Sequence, residues 1–102
     1  MGNVPIPMQP IRHERADDGG LFLLEQDGRQ VGKLHYEING GLMVITHTEV
    51  ASALRGGGLA RALVDAAAAW AREQKLKVWP ACSYARVVLQ RSREHADLLA
   101  RQ

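Results

Sequence analysis

The chain has 102 residues, 46% of them hydrophobic and 24% charged, which fits a single globular domain with a core of its own and excludes a multidomain machine. Its net charge of +2, with Lys and Arg scattered rather than blocked, is too weak to point to a nucleic acid or membrane partner. A lone cysteine, Cys82, excludes an intrachain disulfide and a paired thiolate metal site, and makes a reducing cytoplasm the expected setting.

The opening "MGNVPIPMQP" lacks the basic-then-apolar layout of a secretion signal, and Ile6 stands where a myristoylation signal needs Ser or Thr. Pro5, Pro7 and Pro10 predict an extended or disordered segment over residues 1–10, with the domain itself over 11–102. No apolar run approaches the roughly 20 residues that span a bilayer.

"IRHER" (Ile11–Arg15) predicts a short edge strand that frays at His13, and "ADDGG" a turn. "LFLLEQ" (Leu21–Gln26) predicts a strand, and Asp27-Gly28 a type I′ hairpin turn. "QVGKLHYEI" (Gln30–Ile38) alternates, with Leu34, Tyr36 and Ile38 on one face and Lys33, His35 and Glu37 on a solvated one. Asn39-Gly40 predicts a second hairpin of the same chemistry. "LMVITHTEV" (Leu42–Val50) predicts a central strand. Strict alternation along it puts His47 and Glu49 on the face of Met43 and Ile45, and Leu42, Val44, Thr46, Thr48 and Val50 on the other.

Three glycines, Gly56–Gly58, then run into an alanine-rich helical pattern from Leu59 to about Gln74, with a stripe of Leu59, Leu63, Ala66 and Trp70. "KLKVW" (Lys75–Trp79) predicts a short strand stopped by Pro80, and Ser83 is the expected cap of a helix over "YARVVLQR". The tail "SREHADLLARQ" predicts a terminal helical turn or two. Antiparallel strands followed by helix, strand and helix give an α+β domain with one parallel pair in a mostly antiparallel sheet.

The glycine loop fits no Walker A motif, because Leu59 and Ala60 stand where Lys and Ser/Thr belong. It fits no Rossmann fingerprint either, because Arg61 takes the place of the third glycine. What remains is Arg-x-x-Gly-x-Ala: Arg55, Gly58, Ala60. A strand ending at Val50, this loop and an amphipathic helix together resemble the acetyl-CoA-binding signature of the GNAT acetyltransferases. "VWPACSY" before a short helix resembles, within that superfamily, a group of very short proteins that keep little beyond the cofactor-binding core. The resemblance covers roughly Leu21 to Leu99. The physics agrees with it: a helix N-terminus leaves unpaired N–H groups and about half a positive charge, and glycines let a pyrophosphate approach them.

The resemblance implies a GNAT-like fold and acetyl-CoA or coenzyme A as cofactor. It implies transfer of an acetyl group to an amine on a small molecule, a peptide or a protein lysine. It places the cofactor on Arg55, Gly56, Gly57, Gly58, Leu59 and Ala60, and against backbone groups near Thr48, Glu49 and Val50, where the strand splays from its neighbour. His47 and Glu49 are candidate proton acceptors, although both also fit a solvated strand end. Cys82, before a helix start, is placed to be nucleophilic and to carry an acetyl group, and fits a small buried hydrophobe equally well. Tyr84 matches the tyrosine with which many members protonate the departing thiolate, and fits a packing role too. "RSREHADLL" departs from the short group's pattern at Ser92, Arg93 and His95. Trp70 and Trp79 read as core residues, and no His/Cys/Asp/Glu set has metal-ligand spacing. The brevity of the chain also fits a CoA-binding or acyl-CoA-binding module with little turnover.

Overall fold

A computed structural model describes residues 11–52 and 58–100. Five strands form one sheet in chain order: β1 (Ile11–Ala16), β2 (Gly19–Gln26), β3 (Arg29–Asn39), β4 (Leu42–Val50) and β5 (Lys77–Pro80). The first four pair antiparallel, and β5 returns parallel to β4 after the crossover helix α1 (Leu59–Glu73). Helix α2 (Ser83–Arg91) and a single 3₁₀ turn, Ala96–Leu98, complete the order. The mixed α+β architecture is the expected one.

Turn chemistry sets the register. Asp27 and Gly28 both have positive φ, 52° and 77°, as a type I′ turn requires. The second turn is built differently. Asn39 is the last residue of β3, paired with Leu42, and the positive φ falls on Gly40, at 63°. The two-residue loop is therefore Gly40-Gly41, with the left-handed residue first, the type II′ pattern.

Both helices pack on one face of the sheet. A single cluster joins Phe22, Leu24, Leu34, Tyr36, Met43 and Ile45 of the sheet to Leu63, Val64, Ala67, Ala68 and Ala71 of α1 and to Ala85 and Leu89 of α2. The buried face of α1 is centred on Ala67 and Ala68, with Leu59, Ala66 and Trp70 on its flanks, so the helix is rotated from the expected stripe. Small side chains there let the helix lie close to the sheet. Gly32 of β3 contributes to that approach: a Cβ on it would stand 3.1 Å from Leu63 Cδ1 and 3.3 Å from Glu49 O. Among the described residues no helix covers the opposite face, which carries Arg12, Glu14, Leu21, Leu23, Lys33 and His35.

A β-bulge in β4 corrects the expected alternation. His35 pairs with His47 and Tyr36 with Ile45, so Thr46 is the extra residue. Met43 and Ile45 are fully buried under the helices before the bulge, and Val50 is buried after it, while His47 and Glu49 are exposed. His47 and Glu49 thus lie on the open face, not on the face of Met43 and Ile45. One inserted residue exchanges odd and even positions.

Candidate functional site

Pairing of β4 with β5 runs from Leu42↔Lys77 to Ile45↔Pro80 and stops at the bulge. The Ile45 carbonyl accepts from both Ala81 N–H (3.0 Å) and Cys82 N–H (3.1 Å), which closes the ladder. Beyond it the chain turns into α2, and among the described residues Thr46–Val50 continue without a partner strand on that side. Ala51 N–H donates to Val31 O, so by alternation Thr48 and Val50 direct their N–H and C=O away from β3. The result is a splay bordered by β4 backbone on one side and the start of α2 on the other.

Cys82 stands at its rim. The structure makes it the N-cap of α2, one residue before the expected Ser83, with Sγ accepting the Ala85 N–H at 3.3 Å. Thr48 Oγ1 lies 3.4 Å from the same sulfur. These two expected site residues therefore meet, one from each wall. Tyr84 follows in the first turn of α2 and is 42% exposed.

The second component is the N-terminus of α1. Gly58 is its N-cap, with φ 82° and ψ 2°, a left-handed conformation that suits glycine. Among the described residues no side chain caps this end, and no acidic residue occupies its first turn. The N–H groups of the first turn, Leu59 and Ala60 among them, have no intrahelical acceptor and carry the positive end of the helix dipole. Of the expected cofactor-binding residues, Arg55, Gly56 and Gly57 lie outside the described residues. A concavity of about 380 Å³ lies where the start of β3 meets the end of β4, lined by Val31, Gly32, Lys33, Glu49, Val50 and Ser52.

The third component is the open face. His47 Nε2 lies 3.5 Å from Glu49 Oε1, and Lys33 Nζ 3.4 Å from the same oxygen. Across the bulge, His35 Nδ1 contacts Thr46 Oγ1 at 2.5 Å, and the Thr46 hydroxyl also reaches the His35 carbonyl at 3.2 Å. The expectation for His35 was a merely solvated side chain; its ring is half-buried and held.

His13 was expected to fray and instead packs firmly. It stacks on Phe22 at 4.0 Å between ring centroids, meets Trp70 edge-on at 4.8 Å, and bonds Tyr36 Oη through Nε2 at 2.6 Å. Burial, with the nearby Arg15 charge, holds His13 below its ordinary pKa, and burial holds the Tyr36 hydroxyl above its own. The contact then joins two neutral groups, a hydroxyl and an imidazole, each able to donate or accept. The signal for this contact was non-local, the alternate apolar positions of two other strands.

Comparison with known proteins fits this geometry. The family model described as GCN5-related N-acetyl-transferase matches residues 21–98. No curated protein sequence matches the chain. Among solved structures, a GCN5-like protein from Staphylococcus aureus is 23% identical over 93% of each chain, with a TM-score of 0.69. The ribosomal-protein-S18-alanine N-acetyltransferase of Escherichia coli is 15% identical over 74% of this chain, with a TM-score of 0.65, and this chain spans 52% of it. The aminoglycoside N-acetyltransferase AAC(6′)-Iy, solved with CoA, is 20% identical over 74% of this chain and 66% of its own, with a TM-score of 0.57. At these identities the structures show a shared fold, while the family model spans most of the chain. The chain belongs to the GCN5-related N-acetyltransferase family.

Proposed function

We propose that this chain is an acetyl-CoA-dependent N-acetyltransferase in which the acceptor amine attacks the thioester directly. The observation that carries the reading is the conjunction of the β4 splay with an α1 N-terminus that no described side chain caps. An anion suits that helix end, and Gly58, Leu59 and Ala60 would hold the pyrophosphate of the cofactor, with Arg55, Gly56 and Gly57 completing the loop. The outward N–H and C=O groups of Thr48 and Val50 would pair with the pantetheine as a neighbouring strand would. Acetyl-CoA, when bound, supplies the activated acetyl group.

The chain's own residues then have separable tasks. The open face admits the amine, and His47 and Glu49 offer an imidazole and a carboxylate to take its proton. The N–H groups of Thr48 and Val50, directed into the splay, would be the donors nearest to negative charge developing on the thioester carbonyl oxygen. Tyr84, exposed in the first turn of α2, would offer its proton to the departing thiolate. Cys82 caps α2 and shapes the rim beside Thr48.

The test is ligand-dependent stabilisation. Acetyl-CoA at 100 times its dissociation constant should stabilise the protein by about 2.7 kcal/mol. Gly58→Val should remove that gain, because the φ of 82° strains a β-branched residue and shifts the first-turn N–H groups. Thiol release from acetyl-CoA with a panel of amines then distinguishes turnover from binding alone. Full stabilisation in the variant, or none in the wild type, refutes the placement.

A further inference from the structure

The two edges of the sheet are finished differently. β5 has four residues and ends at Pro80, which carries no N–H. It is also partly covered: Leu99 bridges Val78, and the Ala100 N–H donates to Val78 O at 2.8 Å. β1 has six residues and no proline, and among the described residues it pairs with β2 alone, in a ladder without a bulge. About half of its N–H and C=O groups therefore point outward from the sheet. Proteins blunt such an edge with a cover, a bulge, proline or charge. β1 carries charge, but of both signs in alternation.

That alternation is self-complementary. Arg12 and Glu14 are neighbours on the open face, with 57% and 51% of their side chains exposed. A second β1 can meet this edge antiparallel, about a two-fold axis normal to the sheet. Such an axis passes through a residue, because directly opposed side chains must lie on the same face. An axis at Arg12 opposes two arginines, and an axis at Glu14 opposes two glutamates. An axis at His13 sets Arg12 of each copy against Glu14 of the other. Opposite charges directly across a ladder stabilise it and like charges destabilise it, so the charges select the His13 register. On the helix face that register opposes Ile11 to the stem of Arg15, whose guanidinium lies 5.1 Å from the Trp70 ring centroid. It brings together two His13 rings, each already held by Phe22, Trp70 and Tyr36 of its own chain.

We propose that β1 is the interface of a two-fold dimer, in which two sheets join edge to edge through Ile11–Arg15 in the register centred on His13. The occupant of the open edge is a second copy of this chain. A two-fold contact closes on itself, so it uses up the edge without offering another for growth. A single short strand pair buries less than the roughly 800 Å² per partner of a standard stable interface, so the dimer is weak and concentration-dependent. β2 and β3 separate this edge from the β4 splay, which stays open in the dimer. The proposal is independent of acetyl transfer.

Charge reversal tests it. Sedimentation velocity of the wild type, from about 10 µM to 1 mM, should show a monomer that gives way to a dimer, less so in high salt. Arg12→Glu and Glu14→Arg each set like charges across the axis, and each alone should dimerise about 10-fold more weakly or worse. A one-to-one mixture of the two variants restores opposite charges at both opposed pairs and should dimerise about as well as the wild type. The mixture also removes an ambiguity: Arg12 Nη2 lies 3.4 Å from Glu25 Oε2 in its own chain, and loss of that contact is not repaired by mixing. The double reversal, Arg12→Glu with Glu14→Arg, should dimerise like the wild type as well. Amide exchange along β1 should slow in step with the dimer fraction. A wild type that stays monomeric up to 1 mM overturns the proposal. So does a dimer that survives either single reversal, or a mixture that associates no better than its components.

Discussion

Cys82 separates a structural thiol from a reactive one by a substitution pair. Its sulfur accepts the Ala85 N–H at 3.3 Å and so satisfies one of the open donors at the start of α2. Losing an N-cap costs about 1 kcal/mol, and a sulfur acceptor is weaker than an oxygen, so Cys82→Ala should cost about 0.5–1 kcal/mol. For a domain of this size that lowers Tm by about 2–8 °C. Cys82→Ser restores a capping oxygen and should melt within about 2 °C of the wild type. The assay joins thermal melts with intact-protein mass spectrometry after incubation with acetyl-CoA, and with thiol release. Direct attack by the amine predicts no acetyl adduct on the wild type and a stable, active Cys82→Ser. A wild-type adduct that both substitutions abolish, with Cys82→Ser stable yet inactive, would refute the capping role as sufficient and establish an acetyl-cysteine route.

Two further predictions concern the aromatic cluster behind β1. A Cβ on Gly20 would fall 2.5 Å from Glu14 O and 2.7 Å from Tyr36 Oη, so Gly20→Ala should destabilise by about 1–3 kcal/mol in equilibrium denaturation, because backbone cannot yield as a side chain does. His13 is held below its ordinary value of 6.5, so well above pH 6.5 it is neutral in both states. As pH falls below 6.5 the unfolded chain takes the proton first, and stability drops until the folded pKa is passed, with a slope of at most about 1.4 kcal/mol per pH unit. His13→Gln should flatten that part of a stability-against-pH curve; an unchanged slope would show that another group carries it.

The sequence displayed what depends on local pattern. Alternation and the Asp-Gly turn located four strands to within two residues, and alanine-rich periodicity located α1 to within one. The glycine loop and "ACSY" pointed to the family. What it did not display depends on pairing between distant segments. The bulge at Thr46 leaves the β-branched composition of β4 undisturbed, so alternation assigned His47 and Glu49 to the wrong face. His13 reads as a polar residue in a short edge strand until Phe22, Tyr36 and Trp70 are brought beside it. Cys82 was displaced by Ser83 as the expected cap because serine is the better capping residue in isolation, whereas the Ile45 carbonyl, by binding two successive N–H groups, fixes where α2 begins.

Under the proposed function, the sheet face that no described helix covers bears on how an acceptor would be chosen. A walled pocket selects by volume and rejects whatever does not fit. An open face exerts less of that filter, and a side chain on a folded protein could reach it as readily as a free metabolite. Discrimination would then come from the arriving molecule's own contour and from the few polar groups it passes.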